Sequence, residues 1–214
     1  MAPKKKAAPK KVEASEIIVI LDRSGSMQSI KTDMEGGLAS FVAEQAKVPG
    51  ECRFTLVQFD DRSRDVVYDG VLIGDVKAIT LNPRGSTPLL DAVGDTITER
   101  KAKTGRVTCL IITDGQENAS REWKRESVKR LVEEVTAKGW AVSYLGANVD
   151  AFHEAGSLGV VASSAGNFRP DSAGVAMAFA AAGAANVSYR AGGGYAIPDS
   201  LRSDLDKKRP AKAK

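Results

Sequence analysis

The sequence predicts an α/β domain with a doubly wound, mostly parallel central sheet, one antiparallel edge strand and helices on both faces. Three observations predict it. Residues 17–21 are an unbroken apolar run of strand length, and residues 107–112 are apolar but for Thr108, the pattern of strands buried on both faces of a parallel sheet. Between such runs lie longer stretches with apolar residues near a 3.6 spacing, as helices packed on a sheet require. The two signals alternate along the chain, which is the order that builds crossover units.

Residues 17–21 (Ile-Ile-Val-Ile-Leu) are the first strand. Residues 29–47 are a helix carrying Ile30, Met34, Leu38, Phe41 and Val42, stopped by Pro49-Gly50. Residues 52–59, with Phe54, Leu56, Val57 and Phe59, read as a strand, and residues 65–72 as its partner through Asp60-Asp61-Arg62-Ser63. So short a connection makes that pair antiparallel and places it at an edge. Residues 87–103 are a helix with Leu89, Leu90, Val93 and Ile97, followed by the strand at 107–112. A helix at 123–138, ended by Gly139, leads to a strand at 141–145. A short helix at 151–156, a last short strand at 160–162 and an alanine-rich helix at 171–184 complete the pattern.

The 214 residues, 43% of them hydrophobic, suffice for one domain with a substantial core and tails. The expected division is a basic tail at 1–14, the domain at 15–190 and a flexible basic tail at 191–214. The glycine-rich start of the last segment (Ala191-Gly192-Gly193-Gly194-Tyr195) is a linker or lies along the body. The net charge of +4 conceals an asymmetry. Residues 1–14 carry +4 and residues 206–214 carry +4, which leaves −4 on residues 15–205. No run approaches the roughly 18 apolar residues of a membrane span. The lysine-rich start has no apolar segment behind it, unlike a secretory signal. Cys52 and Cys109 border strand-like runs and read as buried thiols of a reducing compartment. The expected location is therefore the cytoplasm, with no membrane contact.

The first strand ends in Asp22-Arg23-Ser24-Gly25-Ser26-Met27. In open α/β sheets ligands bind beyond the carboxyl ends of the strands, where this run lies. An acid and two hydroxyls at alternate positions are hard oxygen ligands, suited to Mg²⁺ or Mn²⁺ rather than to zinc or copper. Two further stretches stand where a strand gives way to a helix: Gly85-Ser86-Thr87-Pro88-Leu89, and Ile111-Ile112-Thr113-Asp114-Gly115.

These three stretches, in this order, resemble the metal-ion-dependent adhesion site of von Willebrand factor type A domains: D-x-S-x-S, a later Thr loop, and a T-D-G after another apolar strand. The resemblance covers roughly residues 16–190 and implies that fold. It implies a Mg²⁺ or Mn²⁺ ion bound directly by the Ser24 and Ser26 hydroxyls, with Asp22 close by. Thr87 and Asp114 would alternate as direct ligands, and waters would complete an octahedron at about 2.1 Å for Mg²⁺. One position would stay open for an Asp or Glu carboxylate of a partner protein. Family members inside bacterial and phage-infected cells often serve as adaptors beside AAA+ ATPases, so the resemblance implies that class of partner. Gly25 would supply a tight turn between the serines. Arg23 either brings positive charge to the ion or points away.

Taken singly, each residue has a plainer reading. Thr87 before Pro88 suits a helix cap, Ser24 a turn, and Asp114-Gly115 a turn pair. Gln116, Glu117 and Asn118 are rim contacts or solvated loop. A phosphohydrolase using Asp22 as nucleophile wants a second acid two residues on, where Ser24 stands. No G-x-x-x-x-G-K loop occurs. The single histidine, His153, has no partner in the motif. An enzyme is thus not expected. The lysine-rich ends, which lack aromatics, suit weak, salt-sensitive contact with nucleic acid.

Overall fold

The computed structural model describes residues 13–198, and at its centre runs β1 (Ser15–Asp22), buried along its whole length. β1 pairs in parallel with β2 (Cys52–Phe59) on one side and, on the other, with β4 (Arg106–Thr113). β3 (Arg64–Leu72) pairs antiparallel with β2 and forms one edge. Beyond β4 come β5 (Ala141–Gly146) and the short β6 (Ala165–Asn167), both parallel. The order is β3-β2-β1-β4-β5-β6. The chain leaves β1 toward β2 and later returns to its other flank at β4, so the carboxyl end of β1 is the switch point.

Side chains of β1 alternate between two cores, which is why it carries no polar face. Ile17, Val19 and Leu21 point toward α1 (Lys31–Ala46) and α5 (Ser172–Arg190), where they meet Met34, Leu38, Phe41, Ala178 and Phe179. Ile18 and Ile20 face α2 (Leu89–Arg100), α3 (Arg125–Ala137) and α4 (Ala151–Ser157), against Val93, Ile97, Val128 and Val132. Each such buried aliphatic side chain contributes about 1.5–3 kcal/mol.

The register aligns the strand ends. Asp22 lies opposite Phe59, Leu21 opposite Ile112 and Thr113 opposite Gly146. The loops after β1, β2, β4 and β5 therefore emerge from one edge.

Several boundaries differ from the sequence-based expectation. A 3-10 turn, Gly25–Ile30, precedes α1, which starts at Lys31 rather than 29. α3 starts at Arg125 because the Arg121, Glu122 and Trp123 amides are taken by the Asp91 carboxylate. The last strand is Ala165–Asn167, not 160–162: Val160 is buried in the connection, and residues Ala162–Ser164 form a 3-10 turn. α5 continues to Arg190, past the expected end at 184. Its last turns are held by polar groups: Thr108 donates to Asn186 Oδ1 (2.8 Å), and the Arg190 guanidinium donates to the carbonyls of Gln45 (2.7 Å) and Val48 (3.3 Å).

The expected boundary at 190/191 also moves. Tyr195 donates to Ser143 Oγ (3.0 Å), the Ile197 N–H donates to Ser163 O (2.9 Å), and Ile197 is buried. Residues 191–198 lie along the body, while the basic stretches at 1–12 and 199–214 fall outside the described residues. Cys52 and Cys109 are buried and unpaired, and burial pushes the Cys109 thiol up to about 12. Among the described residues no helix is long and apolar enough to cross a membrane.

Candidate functional site

Asp22 is the last residue of β1 and is wholly buried. Its Oδ1 accepts the Ser24 N–H at 2.6 Å, a short-range bond that turns the chain as it leaves the strand. Its Oδ2 accepts the Thr113 hydroxyl at 2.6 Å. The Gly115 N–H donates back to Thr113 Oγ1 at 3.1 Å, which fixes the direction of that hydroxyl. The Met27 N–H donates to Ser24 O and starts the 3-10 turn, leaving Ser24 buried and Ser26 exposed.

The Ser24 and Ser26 hydroxyls lie 3.1 Å apart, and Ser26 Oγ donates to Asp114 Oδ1 at 2.6 Å. Thr87 is buried and stands before α2. An ideal Cβ placed on Gly115 would lie 3.2 Å from Thr87 Oγ1, 3.6 Å from Ser26 Oγ and 4.0 Å from Asp22 Oδ2. Three of the motif oxygens thus surround one point above Gly115, kept clear by its missing side chain. Ser24 and Asp114 join the group through Ser26. All five residues singled out in the sequence come together.

The helix-cap reading of Thr87 does not hold: Pro88 occupies the cap position of α2, and no side chain of its own segment caps it. The next loop does so instead. Glu117 Oε2 accepts the Leu90 N–H (2.9 Å) and Ser120 Oγ accepts the Asp91 N–H (3.1 Å). Asn118 Oδ1 accepts the Thr87 N–H (2.9 Å), and the Asn118 N–H donates to Thr87 O (3.2 Å). Glu117 and Asn118 are therefore framework, while Gln116 is exposed on the rim. Sequence reasoning quoted Thr113 within a motif without giving it a role, and left Glu117 and Asn118 undecided. Only pairing across the fold shows what they do.

Arg23 points away from the site. Its Nε donates to Asp60 Oδ2 at 2.6 Å and its Nη2 to Ser63 Oγ at 2.5 Å. Gly25 has no positive φ and lies in ordinary contact with Gly85 of the Thr87 loop. Its N–H donates to Gly85 O at 3.0 Å, and a Cβ on it would already touch that oxygen at 3.4 Å. His153 is exposed on α4, where its backbone N–H bonds the Asp150 cap.

The electrostatics leave the site short of positive charge. Burial, reinforced by the nearby Asp114 charge, outweighs the bonds from Thr113 and Ser24 and pushes Asp22 up to about 6. Asp114 is also raised by burial, against the bond from Ser26. No cation enters either balance. Among the described residues no three His, Cys, Asp or Glu side chains cluster as a metal cage. The oxygens here are two carboxylates and three hydroxyls, a hard donor set that fits Mg²⁺ or Mn²⁺. A cleft of about 820 Å³ between α1 and α5 is lined by none of these five residues.

No protein-family model matches the chain, and no curated protein matches its sequence. Solved structures do match. The von Willebrand factor type A protein from Catenulispora acidiphila aligns at 20% identity and TM-score 0.53, over 82% of this chain and 43% of its own. Proximal thread matrix protein 1 of the mussel byssus aligns at 13% identity and TM-score 0.59, over 78% of this chain and 44% of its own. Manganese-loaded TRAP protein of Plasmodium vivax aligns at 12% identity and TM-score 0.50, over 78% and 72%. The chain spans less than half the length of the first two. At these identities the likeness is one of fold: the chain has the fold of von Willebrand factor type A domains.

Proposed function

We propose that this chain is a divalent-metal-dependent binding module that captures an Asp or Glu carboxylate of a partner protein. The observation that carries the proposal is the convergence of Asp22, Ser26 and Thr87 oxygens on one open point above Gly115, with Ser24 and Asp114 bonded into the same group. The Ser24, Ser26 and Thr87 hydroxyls would hold Mg²⁺ or Mn²⁺, with Asp22 and Asp114 supplying the negative charge. Bound there, the ion supplies an electrophilic position that an outside carboxylate can fill. The chain's own residues supply orientation: Thr113 and the Ser24 N–H aim Asp22, and Asp114 aims Ser26. The exposure of Ser26 gives a ligand its way in. That a structural neighbour is manganese-loaded supports the choice of metal.

The reading is of an adaptor and not of an enzyme. The Ser24 and Ser26 hydroxyls pair with each other and with the two carboxylates, which suits shared ion ligands, and the one histidine, His153, is exposed on α4. We place such an adaptor in the cytoplasm of a bacterial or phage-infected cell, with an AAA+ ATPase system as the first partner class to try. Calorimetric titration with Mg²⁺ and Mn²⁺ tests the site, with about one ion per chain expected for the wild type and none for Asp22→Ala. Partner capture should then depend on the ion and vanish with chelator. Turnover of a generic phosphate ester by the metal-saturated protein, lost in Asp22→Ala, would replace this reading with hydrolysis.

A further inference from the structure

We infer that Asn118 is a positioning residue that yokes Thr87 to the loop carrying Asp114, so that the two candidate ligands move together instead of in exchange. The inference rests on the metal-site reading for its functional meaning and on the loop geometry for its substance.

Both backbone polar groups of Thr87 are taken by one residue: its N–H by Asn118 Oδ1 at 2.9 Å, and its carbonyl by the Asn118 N–H at 3.2 Å. Asn118 follows Asp114 by four residues on the same loop. The tie is extended rather than isolated. Glu117 holds the Leu90 N–H and, through Oε1, the Ala119 and Ser120 N–H groups of its own loop (2.9 and 2.8 Å). Asp91 holds the Arg121, Glu122 and Trp123 N–H groups in return. The Trp123 indole lies against Gly94 of α2, and its Nε1 donates to Asp95 at 2.8 Å. The start of α2 and the segment 117–123 are thereby one hydrogen-bonded body. On its other flank the Thr87 loop is bonded to the serine loop, by Arg84 N–H to Arg23 O (2.9 Å) and Gly25 N–H to Gly85 O (3.0 Å).

A switch in which Thr87 withdraws while Asp114 advances would have to break these bonds. Thr87 is buried, so loss of the partners of its N–H and carbonyl weighs against that move, although Asn118 itself is exposed to water. Outer partners of this kind typically change metal affinity by about 10–100-fold when removed. The site of this chain is thus built to hold one arrangement.

The test compares Asn118→Leu, Asn118→Ala and Asn118→Asp with the wild type, by amide hydrogen exchange at Thr87 and by Mg²⁺ titration. Asp keeps the acceptor oxygen, whereas Leu and Ala do not. The expected result is Thr87 exchange about five- to tenfold faster in the Leu and Ala variants, with Mg²⁺ affinity down about 10–100-fold and both restored in Asn118→Asp. Unchanged Thr87 exchange in Leu and Ala variants of wild-type melting temperature overturns the yoke. Faster exchange in a protein that takes up no Mg²⁺, even as wild type, upholds the yoke and overturns the metal reading instead.

Discussion

Two buried carboxylates at the same edge of the sheet, one strand apart, are treated in opposite ways. Asp60 follows β2 and comes with its positive charge built in. Its Oδ2 accepts Arg23 Nε (2.6 Å) and Arg84 Nε (2.9 Å), and its Oδ1 accepts the Arg62 and Ser63 N–H groups. Burial pushes Asp60 up, but these donors outweigh it and hold the carboxyl below its ordinary value. Asp22 ends β1 and meets only hydroxyl and amide donors, so burial wins and the carboxyl rises to about 6. The first carboxylate is complete within the chain. The second is held by hydroxyl and amide donors alone, with no cationic side chain beside it, as the proposed metal site would require.

The strongest way to break this comparison is to neutralise the complete carboxylate. Asp60→Asn leaves the buried Arg23 guanidinium with only the half-exposed Asp65 (2.7 Å) as counter-charge, and should still cost about 3 kcal/mol of stability. Denaturant unfolding reads this directly, and a loss under 1 kcal/mol would show that the cluster is not a unit.

The next effect is the opposite response of Asp22 to pH. Its folded-state pKa, about 6, lies above its ordinary 3.8. Metal-free protein therefore has this group's full contribution to stability below about pH 4, and loses it as pH rises through about 6. The loss amounts to about 3 kcal/mol. Asp22→Asn should remove that slope and raise metal-free stability at pH 8, while Mg²⁺ should stabilise only the wild type there. Parallel stability profiles of the two proteins between pH 4 and pH 7 would refute the claim.

Gly115→Ala sharpens the comparison at the site itself. The added methyl would sit among the Thr87, Ser26 and Asp22 oxygens. It should lower Mg²⁺ affinity tenfold or more, about 1.4 kcal/mol, and cost metal-free stability about 1 kcal/mol as Thr87 gives way to the 3.2 Å contact. Retained affinity would place the ion elsewhere.

The smallest effect belongs to an ion pair open to solvent. Arg64 meets Glu99 with two nitrogens, but Glu99 is 50% exposed. Glu99→Ala should change stability by under about 0.5 kcal/mol, and less in high salt.

Much of this was legible in the sequence, for physical reasons. β1 and β4 announce themselves because a strand buried on both faces has no polar alternation to obscure it. Asp22, Ser24, Ser26 and Asp114 could be singled out because they follow apolar strands, but Thr87, which precedes α2 after a long loop, was reached only through the resemblance of residues 85–89 to a family motif. β6 was not legible, because Ala-Gly-Asn makes strand hydrogen bonds without any apolar pattern, while nearby Val160 has the look of a strand and is only a buried loop residue. The end of α5 was misplaced because Asn186 and Arg190 read as solvent-facing, although both are buried against partners more than seventy residues away. The roles of Glu117 and Asn118 were hidden for the same reason: polar loop residues reveal their partners only in three dimensions.

The Arg190 guanidinium also bonds Ser15 Oγ at 3.0 Å, joining the first strand to the last helix across 175 positions of sequence. This closure sets an order in time. During synthesis the residues of the site are all made before residue 115, but the face of β1 that carries Ile17, Val19 and Leu21, shared by α1 and α5, waits for α5 to complete its cover. Until the ribosome has delivered that helix, α1 covers that face of the sheet alone. The domain therefore closes late, as contacts between distant parts of a chain require, and a nascent chain halted before residue 172 would present its oxygen-lined loops on a sheet that α1 covers only in part on this face.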